Sequence, residues 1–161
     1  MKSIPLALTF SLLATAAFAD MPAADFVRQA SIANQFEIES SELALDRTKD
    51  DKVKNLAHHI IDDHEKAGDR MEDALDKSDS NLKPEKDLDD KHEALLDKLK
   101  DASDEEFDAQ YIAIQDQAHN EAITLFTGYA KSGGDANLQA FATETLPALK
   151  EHKTRVDQWK K

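Results

Sequence analysis

Apolar residues recur every three or four positions along most of the chain, and this spacing predicts an all-α protein. No segment alternates apolar and polar residues as a half-buried strand would. Long amphipathic helices are predicted over residues 23–49, 51–77, 103–132 and 135–160, and a shorter helix over residues 88–100. Four long helices, with one longer connection between the second and third, predict a four-helix bundle with a short extra helix in that connection.

Several residues mark where these helices begin and end. The stretch SDSNLKPEKD, residues 78–87, breaks the helical pattern and predicts a loop. Ser103 and Glu106 have the S-x-x-E spacing of a capping box, which predicts a helix start. Pro147 lacks an amide hydrogen, and the residue before a proline is biased away from helical geometry. We therefore expect Pro147 either to begin a helical segment or to kink the last helix.

The first twenty residues, MKSIPLALTFSLLATAAFAD, have the pattern of a secretory signal peptide. Lys2 is followed by a mostly apolar run over residues 4–17 and an A-x-A cleavage signal at residues 17–19. The run is short for a membrane span, and no comparable run follows. We predict a cleaved signal peptide over residues 1–19 and a single soluble periplasmic domain over residues 20–161, with no transmembrane segment.

Composition narrows the functional classes. The formal net charge is −13 and becomes −14 when Lys2 is removed with the signal peptide, which disfavours nucleic acid and anionic membranes as partners. The absence of cysteine excludes disulfides and thiolate ligands. No phosphate loop, nucleophile elbow or other catalytic constellation is recognised, so an enzyme without a metal is not favoured. The sequence does not indicate a protein partner or an oligomeric state.

A few polar residues fall among the apolar positions of the predicted helices. At about 100° per residue, Glu37, His64 and His152 project into the apolar stripes of their helices, and His119 lies at a stripe edge. An unpaired buried carboxylate is expensive, so Glu37 needs a partner. Imidazole and carboxylate together suit zinc, iron, manganese or copper, which makes these four residues candidate metal ligands. The alternative is a hydrogen-bonded core network that fixes helix register.

Other polar residues can support such a site from outside. Asp63 lies beside His64 in sequence and can orient an imidazole on an adjacent helix. The predicted supporting residues are Asp63, Asp108, Tyr111 and Gln115. His58, His59 and His92 carry no specific argument, and we expect them at surface or boundary positions.

An ordered set of segments resembles a known family. These segments are ADFVRQASIANQFEIESSELAL, VKNLAHHIIDDHEKA, LLDKLKDASDEEFDAQYI, QAHNEAITLF and AFATETLPALKEHKTRV. Over residues 24–156 the chain resembles the bacterial exported domain of unknown function 4142, above all in D-D-H, F-D-x-x-Y and L-P-x-L-x-x-H. The resemblance implies a ferritin-like four-helix bundle in the periplasm or attached to the envelope. The family motifs match Glu37, His64, Asp108, Tyr111, His119, Pro147 and His152.

The resemblance supplies no activity. Ferritin-like di-iron sites use a glutamate on each of two helices and Glu-x-x-His on each of the other two. This chain has one clear inward glutamate and no Glu-x-x-His, so we expect neither oxygen activation nor iron storage. A metal-dependent oxidase or hydrolase likewise lacks a second carboxylate. The sequence favours a periplasmic protein that binds a transition metal, with a role in envelope stress protection. The alternative is a non-enzymatic structural or chaperone-like interaction protein.

Overall fold

The computed structural model describes residues 21–78 and 80–160, and within them the chain is helical with no strand. The predicted signal peptide, residues 1–19, lies outside the described residues. The helices are α1 Ala23–Arg47, α2 Asp51–Lys77, α3 Asp90–Lys100, α4 Phe107–Ser132 and α5 Ala136–Asp157, followed by a 3-10 turn at Gln158–Lys160. None of the helices described here combines the length and the apolar composition needed to cross a bilayer.

Three of these helices begin at an aspartate whose carboxylate caps the first turn. The capping residues are Asp50 for α2, Asp89 for α3 and Asp135 for α5. Each accepts a hydrogen bond from a backbone N–H two or three residues later, which satisfies one of the free donors of the first turn. The starts of these three helices agree with their predicted starts to within two residues.

The four long helices close into a ring. Helix α1 packs against α2 and α4, and α5 packs against the same two helices from the other side. Residues 48–50 join α1 to α2, and residues 133–135 join α4 to α5, so each pair is antiparallel. The longer connection carries α3, which lies against α1 and α4. The predicted four-helix bundle with a short extra helix is confirmed.

The start of α4 differs from the prediction. The helix begins at Phe107, and the residues before it form a turn in which Glu106 N–H donates to the carbonyl of Ser103 at 3.1 Å. The Ser103 hydroxyl donates to the Glu106 carboxylate at 3.0 Å and caps no backbone N–H. The predicted capping box is wrong, because the two side chains bond to each other rather than to the backbone.

Helix α5 runs through Pro147 without interruption. Of the two predicted alternatives, a separate segment that begins at Pro147 is wrong, whereas a kink at Pro147 stays a prediction. Proline cannot donate to the carbonyl of Thr143, four residues earlier. Both residues lie on the exposed side of α5, where solvent can supply the missing hydrogen bond.

The apolar core is divided into two clusters along the bundle. The first cluster contains residues 53–60 of α2, residues 107–114 of α4 and Val156 of α5. The second contains residues 71–75 of α2, residues 122–129 of α4 and residues 138–149 of α5. His64, His119 and His152 occupy the gap between the clusters, one on each of these helices. The division places a buried polar layer across the middle of the core.

Candidate metal centre

Three histidines from three helices meet in this polar layer. The exposed fractions of His64, His119 and His152 are 6%, 0% and 1%. Their ring centroids lie 6.0 Å apart for His64 and His119, 5.5 Å for His64 and His152, and 5.2 Å for His119 and His152. One ring nitrogen of each histidine lies within 4.8 Å of the corresponding nitrogens of the other two, so the three rings could hold a metal ion.

The other nitrogen of each ring faces an acceptor from the protein. His119 Nδ1 lies 2.9 Å from the carbonyl oxygen of Gln115, one turn earlier on α4. His152 Nε2 lies 3.1 Å from a carboxylate oxygen of Asp63 on α2. His64 Nδ1 lies 3.0 Å from the side-chain oxygen of Asn34 on α1. Carbonyl, carboxylate and amide oxygens accept hydrogen bonds, so each of these nitrogens is placed to carry the ring hydrogen.

A neutral imidazole with its hydrogen on one nitrogen has a lone pair on the other. When each ring donates its hydrogen to the acceptor just described, the lone pairs lie on His64 Nε2, His119 Nε2 and His152 Nδ1. The last two nitrogens lie 3.2 Å apart, and His64 Nε2 is buried with no hydrogen-bond partner among the described residues. Three inward lone pairs, each with an acceptor behind its ring, form the kind of donor set that binds transition metals.

Burial keeps two of these rings uncharged. Burial, together with nearby His119 and His152, lowers the pKa of His64 well below its ordinary value of 6.5. Burial and His119 also lower the pKa of His152, to about 4, although the Asp63 carboxylate opposes the shift. Metal binding needs neutral imidazole, so at neutral pH these rings need not lose a proton first.

Glu37 is buried behind His119 rather than among the converging nitrogens. Its exposed fraction is 3%, and Oε1 lies 3.5 Å from Nδ1 of His119, the nitrogen turned toward Gln115. Burial raises the pKa of Glu37, and His119 only partly offsets the effect. The group of converging donor atoms leaves Glu37 out. That Glu37 is a ligand stays a prediction, and its carboxylate contacts the edge of the His119 ring that carries Nδ1.

Two of the predicted supporting residues on α4 lie away from the histidines. Asp108 is eleven residues before His119, which is about 16 Å along the helix at about 1.5 Å per residue. Tyr111 is buried, and its hydroxyl pairs with that of Ser41 at 2.8 Å. Burial raises the pKa of Tyr111 far above its ordinary value. Both residues lie two or more turns before His119 along α4.

Gln115 and Asp63 lie against the histidine rings. The carbonyl of Gln115 faces His119, and its side-chain nitrogen donates to the Ser40 hydroxyl at 3.1 Å. Asp63 faces His152 across the α2–α5 interface. Burial opposes the ionisation of Asp63, but the hydrogen bond from His152 and the nearby imidazoles outweigh it and lower its pKa.

The sequence matches the family described as a domain of unknown function, DUF4142, over residues 10–159. The chain belongs to the DUF4142 family. Among solved structures it is similar to a DUF305 fragment from Deinococcus radiodurans, with a TM-score of 0.72 and 15% identity, covering 84% of this chain and 92% of that chain. At this identity the likeness shows the fold alone. A comparison with curated proteins found no match.

Two residues of this DUF4142 protein that sequence reasoning missed lie beside the cluster. Asn34 contacts His64 from α1, and it lies three residues before Glu37 on the same face of the helix. His59 lies 3.6 Å from Asp63 and one turn before it on α2. The available signal was spacing in sequence, because Asn34 lies three residues before Glu37 and His59 lies four residues before Asp63. Each therefore shares a helix face with a predicted site residue.

Proposed function

We propose that this DUF4142 protein binds one transition-metal ion in the periplasm through His64, His119 and His152. The observation that carries the proposal is the convergence of three buried ring nitrogens, each on a ring whose other nitrogen faces a protein acceptor. Such outer contacts fix the orientation of a ligating histidine and raise its basicity.

The spacing of the nitrogens supports this proposal. Two nitrogens bound tetrahedrally to zinc at about 2.0–2.1 Å lie about 3.3 Å apart. His119 Nε2 and His152 Nδ1 lie 3.2 Å apart, and the whole set of donor atoms lies within 4.8 Å. The His119–His152 pair therefore has the spacing that a tetrahedral ion requires, and the donor atom of His64 lies within 4.8 Å of both.

A hydrogen-bonded network explains the same residues less completely. A hydrogen on His152 Nδ1 can bridge to His119 Nε2, but His152 Nε2 then turns a lone pair toward the Asp63 carboxylate at 3.1 Å. His64 Nε2 still has no hydrogen-bond partner among the described residues. A buried polar atom without a partner costs about 1–3 kcal/mol, and an ion bound to all three rings removes this cost.

The donor set narrows the choice of metal. Among the described residues, no carboxylate joins the three converging nitrogens. Imidazole suits zinc, copper and iron, whereas manganese prefers carboxylate and water. Mn²⁺ and Fe²⁺ also bind a given nitrogen site more weakly than the later first-row metals, so we favour zinc or copper. Three protein ligands also leave a fourth position for water or a small ligand. Holding such an ion inside the bundle would protect the envelope by sequestration.

The test is a titration of the untagged protein with Zn²⁺, Cu²⁺, Fe²⁺ or Mn²⁺, followed by calorimetry and thermal unfolding. One equivalent of zinc or copper is expected to bind, and at 100 times Kd it stabilises the fold by about 2.7 kcal/mol. His64→Ala is expected to lose most of this stabilisation at the same metal concentration. His92→Ala is the matched control, because His92 is half-buried and pairs with Asp89 outside the converging group. Equal stabilisation of parent and His64→Ala would contradict the assignment.

A further inference from the structure

A second histidine group lies on the solvent side of His152. His59 and Asp63 of α2 and His152 of α5 present donor atoms within 4.8 Å of one another. A carboxylate oxygen of Asp63 lies 3.1 Å from His152 Nε2 and 3.6 Å from His59 Nε2. The side chains of His59 and Asp63 are 34% and 25% exposed, whereas that of His152 is 1% exposed. The group therefore extends from the protein surface to the buried cluster.

The chemistry of this group suits a cation. His59 Nε2 has no hydrogen-bond partner among the described residues, although Oε1 of Glu151 lies 3.5 Å away. Glu151 also accepts hydrogen bonds from Arg155, so we assign the ligand roles to the other three residues. Two imidazoles and one carboxylate form a mixed nitrogen and oxygen donor set that suits a divalent transition metal. The adjacent carboxylates also attract cations from solution.

His152 belongs to both groups, and the position of its hydrogen decides which group it serves. With the hydrogen on Nε2, the ring donates to Asp63 and turns the lone pair of Nδ1 toward His119. With the hydrogen on Nδ1, the ring donates to His119 Nε2 and turns the lone pair of Nε2 toward Asp63 and His59. The two neutral forms of one ring thus complete either the buried donor set or the outer one.

We propose that His59, Asp63 and His152 form an outer capture site for a divalent transition-metal ion and pass that ion to the buried histidines. Capture uses Nε2 of His152, and the buried site uses Nδ1. Transfer moves one ion inward and one proton from Nδ1 to Nε2, and only metal–nitrogen, metal–oxygen and nitrogen–hydrogen bonds change. The destination of the ion rests on the proposed function, whereas binding at the outer site does not.

The kinetic test uses Co²⁺, whose visible absorption reports its coordination, mixed rapidly with the metal-free full chain. His59→Ala is expected to slow loading of the buried site by about tenfold and to leave the final stoichiometry unchanged. His58→Ala is the matched control, because His58 is an exposed neighbour on α2 outside both donor groups, and it is expected to load at the parent rate. Equal loading rates for His59→Ala and the parent would overturn the proposal.

An equilibrium test separates the two sites. His64→Ala removes a ligand of the buried site only, so it is expected to retain one weakly bound Co²⁺ that the double variant with His59→Ala loses. If His64→Ala binds no Co²⁺, the outer site is refuted and the buried site stands. If it binds Co²⁺ like the parent, the buried site is refuted and the outer site stands. Circular dichroism checks the fold of His64→Ala, and if the fold is lost, the loading rate of His59→Ala decides.

Discussion

The buried histidines make the stability of the metal-free protein depend on pH in a defined direction. Burial and neighbouring His119 lower the pKa of His152 from 6.5 to about 4 in the folded state. Between these values the unfolded chain binds the proton and the folded protein does not. The free energy of unfolding therefore falls as the pH falls from about 6.5, and this loss is complete below about 4.

The size of the loss follows from the same two values. Each tenfold difference in proton affinity is worth about 1.4 kcal/mol, so His152 alone accounts for about 3 kcal/mol. The whole fold is stable by about 5–15 kcal/mol, so this loss is large enough to measure. His64, whose pKa is also lowered, acts in the same direction. The raised pKa of Glu37 acts in the opposite direction and reduces the net loss.

Urea unfolding followed by far-UV circular dichroism, in chelator at steps from about pH 7 to about pH 4, measures this dependence. His152→Asn removes the titrating ring, so its free energy of unfolding is expected to fall less steeply over this range. His58→Ala, which removes an exposed histidine, is expected to follow the parent. If His152→Asn and the parent lose the same free energy, His152 is not buried in its neutral form and the reasoning fails.

Three further predictions follow from individual contacts. Asp63→Asn weakens zinc binding by about 10- to 100-fold in calorimetry, because the His152 ring loses its charged hydrogen-bond acceptor. An unchanged affinity would contradict this. Glu37→Gln raises the free energy of urea unfolding at pH 7, because burial raises the pKa of the Glu37 carboxyl and so disfavours its ionised form in the folded state. Near pH 4 no such gain is expected. A lower free energy of unfolding at both pH values would refute this. Gly133→Ala costs about 1–3 kcal/mol in thermal unfolding, because its Cβ would lie 2.6 Å from the buried ring of Tyr129. Gly134→Ala is expected to be nearly neutral, because its Cβ would meet nothing within 4 Å. Equal melting temperatures for the two alanine variants would contradict the predicted clash.

The sequence predicted the helices well because their signals are local. The bounds of α2 match the prediction, since Asp50 caps its first turn and apolar residues repeat along one face. The start of α4 was missed because a capping box and a serine–glutamate side-chain pair have the same spacing in sequence. The uninterrupted path of α5 through Pro147 depends on the packing of the whole helix against its neighbours, which outweighs the local preference of one residue.

The site was predicted less completely, because projection gives the direction of a side chain but not its neighbour. It marked His64, His119 and His152, and packing brings these three together. It also marked Glu37, whose carboxylate lies behind a ring rather than beside the converging nitrogens. The role of Asn34 depends on how α1 and α2 are aligned against each other, and no spacing within one helix contains that information.

Anomalous diffraction shows whether the three buried histidine rings hold one ion. Crystals of the protein grown with one equivalent of Zn²⁺ are measured on both sides of the zinc absorption edge. One strong peak is expected, about 2.0–2.1 Å from His64 Nε2, His119 Nε2 and His152 Nδ1. A zinc-loaded crystal with no anomalous peak between these rings, and with His119 and His152 still hydrogen-bonded to each other, would contradict the proposed site.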